Sequence, residues 1–182
     1  MNEIELKFLN IDVPSFEEKL KMIGAKFVRD DSLEEWLFWR PEWKEFRGRV
    51  RLRTSGDVHQ VAYKETTRGT GEGNLELEFE VSDSNTALKF LKKVISSEDI
   101  RHQQKRRKSY SVEMDGVPVT IDIDFWPRIP PYVEIESTDR AAIDKVVSLL
   151  GLDLKDAVEL DARDIYGKIY GIEINGIKEL VF

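Results

Sequence analysis

Apolar and charged positions alternate along much of this chain, and the alternation is interrupted by stretches of helical period. Residues 2–9 alternate strictly and predict a strand. Pro14 to Lys26 predicts a helix, with Pro14 in the first turn, Phe16, Leu20 and Ile23 on one face, and Gly24 near the end. Trp36 to Arg40 predicts a short strand. Residues 48–54 and 58–66 predict a hairpin around Ser55-Gly56-Asp57. The glycine-rich run Arg68 to Gly73 predicts a loop, followed by a strand over 74–81. Asn85 to Ile95 predicts a helix with Ala87, Leu88, Leu91 and Ile95 on one face. A second hairpin is expected over 104–114 and 117–125 around Asp115-Gly116, then a proline-rich loop and a strand over 132–137. Asp139 to Leu150 predicts a helix that stops at Gly151, and a short helix is expected near Ala162 to Tyr170. The alternating tail Ile172 to Phe182 is expected to form a last strand or a packed arm.

Side chains of a strand point alternately to its two faces, so each strand separates into two sets. Glu3, Glu5 and Lys7 share one face of the first strand, opposite Ile4, Leu6 and Phe8. Arg49, Arg51 and Arg53 oppose Val50 and Leu52, and Lys64 opposes Val61 and Tyr63. Glu76, Glu78 and Glu80 oppose Leu75, Leu77 and Phe79. Lys105 and Arg107 share a face, Asp122 and Asp124 oppose Ile121 and Ile123, and Glu134 and Glu136 oppose Val133 and Ile135. The amphipathic helices should cover the apolar face, which leaves the charged faces turned the other way. About eight strands with helices between them make an α+β pattern dominated by antiparallel hairpins. A closed or nearly closed β-barrel, charged inside with helices packed outside, is one way to remove the edges.

A half-exposed antiparallel sheet shows the same alternation with its charges in water. Two features argue against that here. Charge sign is segregated by strand, and like charges two apart on one face repel. Arginine is also preferred at 49, 51, 53 and 107, and its planar fork suits phosphate oxygens. Inward-facing acids would bind hard cations such as Mg²⁺ or Mn²⁺, and inward-facing bases a polyanion. A metal-bound polyphosphate needs both at once.

Composition narrows the choice. A length of 182 residues suits one domain over 1–182, and a net charge of −7 argues against a general nucleic-acid binder. With no cysteine, zinc–thiolate sites, iron–sulfur clusters and cysteine nucleophiles are excluded. The first seven residues have no signal-peptide character, and no apolar stretch approaches the roughly 20 residues that span a membrane. A cytoplasmic protein is expected, monomeric or homodimeric, with a small-molecule triphosphate as its partner and no nucleic acid or membrane. The run Lys105 to Lys108 divides into two inward and two outward residues in a strand, which discounts a nucleic-acid patch. Trp36, Trp39, Trp43 and Trp126 are expected mostly in core or rim positions, and His59 and His102 at the surface.

At these charged positions the sequence resembles the CYTH family, the triphosphate tunnel metalloenzymes, which include class IV adenylyl cyclases, thiamine triphosphatases and inorganic triphosphatases. The family's Glu-x-Glu-x-Lys signature is present as Glu3, Glu5 and Lys7. Arg51 and Arg53, Lys64, and Glu76 with Glu78 follow in order. Lys105, Arg107 and Tyr110 form a pattern much like that of class IV cyclases, and Asp122, Asp124, Glu134 and Glu136 complete the series. Asp164-Ile165-Tyr166 stands near the place of a final Ser-Tyr segment, with the serine replaced.

The resemblance implies an α+β fold built on an eight-stranded antiparallel β-barrel, a triphosphate tunnel with a charged interior and helices packed outside. Glu3, Glu5 and Glu134 or Glu136 would hold a catalytic Mg²⁺ or Mn²⁺, with Asp122 or Asp124 and Glu76 or Glu78 around a second. Lys7, Arg51, Arg53, Lys64, Lys105 and Arg107 would grip phosphates. Glu76 or Glu78 would orient or deprotonate the attacking water, with Lys7 also at the reacting centre. Hydrolysis is the expected reaction, because only the polyphosphate must be recognised. Conversion of ATP to cyclic AMP and pyrophosphate is the alternative, favoured by the Tyr110 pattern. A polyphosphate sensor and a purely structural sheet are the non-enzymatic readings.

Overall fold

The computed structural model describes residues 4–45, 47–65, 75–96 and 99–182. Glu3 and the glycine-rich run Arg68 to Gly73 lie outside these residues. Antiparallel β-strands dominate: β1 (Ile4–Phe8), β2 (Lys26–Trp39), β3 (Arg49–Ser55), β4 (Val58–Glu65), β5 (Leu75–Glu80), β6 (Asp99–Met114), β7 (Val117–Phe125) and β8 (Tyr132–Ser137). A two-residue β9 (Glu179–Leu180) runs parallel to β6. The helices are α1 (Val13–Met22), α2 (Ser84–Val94), α3 (Arg140–Leu149) and a short α4 (Ala162–Asp164) that opens into a wide π-type turn over Ile165–Ile169.

Local chemistry sets the element ends. Asp12, Asp83 and Asp139 cap α1, α2 and α3 by accepting backbone N–H bonds from Ser15, Thr86 and Ala141. The β6–β7 turn is Asp115-Gly116, both at positive φ (53° and 81°), which matches the twist of a two-residue hairpin.

The strand order is β1-β8-β7-β6-β2-β3-β4-β5, with β9 on β6. Closing the expected eight-stranded barrel requires a ladder between β1 and β5. Among the described residues no such ladder exists, and the nine strands they form make a sheet that is not closed. The expected α+β class with a large antiparallel sheet is present.

The chain divides into two compact units, residues 1–31 with 106–174, and residues 32–105 with 175–182. In the first, β1, β8, β7 and β6 align their apolar positions. Leu6, Ile135, Ile121 and Tyr110 form one row and Phe8, Val133 and Ile123 the next. Phe16 and Leu20 of α1 and Ile143, Val146, Val147 and Leu150 of α3 share this core. In the second unit, Phe38, Leu52 and Val61 pack with Ala87, Leu91 and Ile95 of α2. In each unit the helices cover the apolar side of the strands, as the alternation predicts.

Strand β2 is longer than its sequence pattern suggests. Lys26 to Glu35 carries Asp30-Asp31-Ser32, which reads as a turn. It is extended because its charges find partners on other strands: Arg106 donates two bonds to Asp30, and Arg53 and Gln103 bond to Glu35. Strand β6 likewise starts at Asp99, five residues before the expected position.

Candidate active site

In the first unit the face opposite the helices is polar, and the pairing register gathers it into rows. Lys7, Glu134, Asp122 and Ser109 stand side by side on β1, β8, β7 and β6. Glu5, Glu136 and Thr120 form a second row, and Tyr132, Asp124 and Arg107 a third. Arg107 is the hub. Its Nε donates to Asp124 at 2.5 Å, Nη1 to Asp122 at 2.5 Å, and Nη2 to Asp124 and Glu134 at 2.6 Å each. Lys7 is buried, pairs with Glu5, and lies 3.4 Å from Glu134.

These contacts decide the electrostatics. Burial disfavours the charge on Arg107, but Asp124, Asp122 and Glu134 outweigh it and hold the guanidinium firmly protonated. Burial pushes the Asp122 carboxyl up against the pull of Arg107, with Asp124 and Glu134 adding repulsion. Tyr132, also buried, has its phenol pushed well up by burial and by Asp124 and Glu134.

In the second unit the face opposite α2 carries the bases. Arg51 is buried and donates from Nη2 to Glu78 at 2.9 Å, with Glu76 at 3.5 Å. Its Nε is buried without a hydrogen-bond partner among the described residues. Lys64 pairs with Glu76 at 2.7 Å, and its register partner on β3 is Arg49. Burial and the neighbouring Arg51 pull Lys64 down. Burial and Arg53 disfavour the charge on Arg51, while Glu35, Glu76 and Glu78 favour it. Lys105 is buried on the same face of β6 as Gln103.

Of the sequence-predicted residues, Glu5, Lys7, Arg107, Asp122, Asp124 and Glu134 come together in the first unit, with Glu136 beside Glu5 in register. Arg51, Arg53, Lys64, Glu76 and Glu78 come together in the second, with Lys105 acting on the same carboxylate, Glu35, as Arg53 and Arg51. Three readings change. The like-charged rows are neutralised in part by the protein itself, through Arg107, Lys7, Arg51 and Lys64. The faces are not wholly charged, since Leu37 and Ala62 flank Arg51 in register. Tyr110 shares no face with Arg107. It sits in the helix-covered core and donates to Glu17 of α1 at 2.6 Å.

Glu35 was absent from the expected set because β2 was read as starting at Trp36. It is buried, 3% exposed, and bound by Arg53 and Gln103. A strand reading extended one residue upstream would have included it, and the β2–β3 register places it opposite Arg53. Arg106 and Lys108 point away, pairing with Asp30 and Glu17. Trp36 packs against the α2-side core and stacks on His102 at 4.5 Å, while Trp126 is buried edge-on to Tyr166. His102 bridges Glu34 and Glu179 at 2.7 Å each.

The carboxylates supply only oxygen, the donor that Mg²⁺ and Mn²⁺ take. The donor chemistry therefore fits a hard divalent ion. Among the described residues, no three acidic or histidine side chains stand as a metal-holding group, and Arg107 occupies the point where Asp122, Asp124 and Glu134 converge. No helix among these residues is long and apolar enough to cross a membrane.

Solved structures share the fold. A Pyrococcus horikoshii OT3 protein, PH1012, is 25% identical with a TM-score of 0.64, covering 86% of this chain and 94% of its own. A candidate adenylate cyclase from Vibrio parahaemolyticus is 16% identical with a TM-score of 0.65, covering 91% and 97%. HpAC1 from Hippeastrum, described as revealing a dominant triphosphatase activity, is 11% identical with a TM-score of 0.61, covering 95% and 98%. No curated protein matches the chain. The sequence profile of the CYTH domain matches residues 1–160, nearly the whole stretch that carries the ordered charges, and the chain belongs to the CYTH family.

Proposed function

We propose that this protein is a metal-dependent triphosphatase that releases orthophosphate from inorganic tripolyphosphate or an organic triphosphate. The carrying observation is Arg51. Arg51 is a buried guanidinium beside Arg53 and Lys64 whose Nε has no hydrogen-bond partner among the described residues, so it keeps a donor beyond its bond to Glu78 for a further anion. Membership in a family of triphosphatases and cyclases supports the enzyme class. The family's closed eight-stranded tunnel goes with this proposal.

Arg51, Arg53, Lys64 and Lys105 bind the phosphate oxygens and offset their charge, with Lys7 at the reacting end. Glu3, Glu5 and Glu134 or Glu136 would hold Mg²⁺ or Mn²⁺, with Asp122 or Asp124 and Glu76 or Glu78 around a second ion. The metal supplies Lewis-acid charge at the phosphoryl oxygens. Glu76 or Glu78 orients the attacking water and accepts its proton. The water oxygen bonds to the terminal phosphorus, the bond to the bridging oxygen breaks, and the diphosphate product leaves with that bond's electron pair.

Conversion of ATP to cyclic AMP and pyrophosphate is the alternative reaction, supported by the Lys105-Arg107-Tyr110 pattern. The test is a product assay with tripolyphosphate, thiamine triphosphate or ATP, each with Mg²⁺, Mn²⁺ or chelator. Metal-dependent orthophosphate release is expected. Cyclic AMP with pyrophosphate refutes hydrolysis, and binding without turnover points to a sensor.

A further inference from the structure

Besides Glu76 and Glu78, a third carboxylate stands among the bases of the second unit, where its charge would repel a substrate oxygen. Glu35 is 3% exposed, more enclosed than Arg51 or Lys105. Its register partner across β2 and β3 is Arg53. Oε1 accepts from Nε of Arg53 at 2.7 Å and lies 2.7 Å from Nη2, and Oε2 accepts from Nε2 of Gln103 at 2.7 Å. Both oxygens are engaged by protein donors. The Arg53 side chain is 26% exposed against 5% for that of Glu35, so the guanidinium reaches out from a buried anchor. Nη1 is the nitrogen Glu35 does not engage.

Two roles fit a carboxylate in such a place. It can simply lower the positive potential, which weakens anion binding. It can instead fix the plane of Arg53, so that a free edge of the fork meets an oxyanion without reorganisation. The Nε hydrogen bond with Nη2 close to the same oxygen, the second anchor on Gln103 and the near-complete enclosure are what fixing requires.

We propose that Glu35 is a positioning residue of the triphosphate site, holding Arg53 and Gln103 so that Arg53 presents its Nη1 edge to a phosphate. This rests on the functional reading above, since the phosphate is its object. The carboxyl remains ionised over the working range, because Arg53, Lys105 and Arg51 outweigh burial.

The two roles predict opposite signs for Glu35→Gln, which removes a negative charge and keeps the shape. Binding of inorganic tripolyphosphate is measured by calorimetry, with and without Mg²⁺. Positioning predicts affinity lower by about tenfold or more despite the added positive charge, and a lower kcat. A second readout needs no ligand. The Arg53 Nε–Hε resonance, identified by its loss in Arg53→Lys, should be sharp and slow to exchange in the wild type and broadened in Glu35→Gln. If Glu35→Gln does not fold, Glu35→Asp keeps the charge and withdraws it by one methylene; positioning then still predicts weaker binding, and a charge-only role predicts no change. Wild-type binding with equal or tighter binding by Glu35→Gln overturns this inference alone. A wild type that binds no tripolyphosphate overturns the functional reading, and this inference with it.

Discussion

Replacing Glu35 by Gln also tests the electrostatics of its surroundings through stability alone. The substitution mimics the protonated carboxyl, so the difference between the two proteins reports the free energy of ionising Glu35 in the fold. Burial alone would raise this group, but Arg53, Lys105 and Arg51, with the Gln103 bond, bring it from 4.5 down to about 2. At about 1.4 kcal/mol per pH unit, that shift corresponds to roughly 3 kcal/mol of stability. Because the folded value is depressed, the contribution is present in full above the unfolded value and is lost as pH falls from about 4.5 toward 2. Urea unfolding at pH 7, 4 and 3 should show Glu35→Gln about 3 kcal/mol less stable at pH 7, with the gap cut by more than half near pH 3. In a chain of this size the neutral-pH gap amounts to about 8 °C in Tm. A gap that does not change with pH, or one below about 1 kcal/mol at pH 7, would refute the assignment of Glu35 as an anion held by its neighbours.

Arg51→Met removes the buried donor with the unpartnered Nε, and tripolyphosphate affinity by calorimetry should fall roughly 10- to 100-fold, the worth of a charge-assisted bond; unchanged affinity contradicts its role. Glu5→Ala should abolish orthophosphate release while leaving Tm within a few degrees, since the Glu5 side chain is 43% exposed; retained turnover argues against Glu5 as a metal ligand. Dialysis against chelator should stop phosphate release in the wild type, and added Mg²⁺ or Mn²⁺ should restore it; turnover in chelator sinks the metal requirement. Tyr110→Phe deletes the bond to Glu17 and should lower stability by about 1–2 kcal/mol in urea without changing kcat; a large loss of kcat at normal stability returns Tyr110 to the site.

Much of the fold was legible because the period-2 alternation is strict in β1, β3, β5, β7 and β8, and the capping aspartates with period-3.6 stripes mark α1 to α3. Charged faces were legible for the same reason. What the alternation hides is pairing. Asp122 and Asp124 look like a repelling pair in sequence, and only the β6–β7 and β7–β8 registers bring Arg107 between them and Glu134. Glu35 was missed because the strand was read as starting at Trp36, whereas β2 is extended from Lys26 through partners some 70 residues away in sequence. Tyr110 was read by its spacing from Arg107, yet an odd step of three residues along a strand turns it to the opposite face.

Strand β5 is exposed along its whole length, with Leu77 and Phe79 57% and 61% exposed, and β4 is its only partner among the described residues. An edge of alternating Leu and Phe is a template for another chain's backbone. Glu76, Glu78 and Glu80 interrupt it, so the carboxylates that face Arg51 and Lys64 also act as gatekeepers against self-association. Neutral substitutions there would remove both functions at once. An inactive Glu76 or Glu78 variant thus reports on chemistry only where light scattering shows it still monodisperse, and selection for solubility would preserve these glutamates even in a descendant that had lost its substrate.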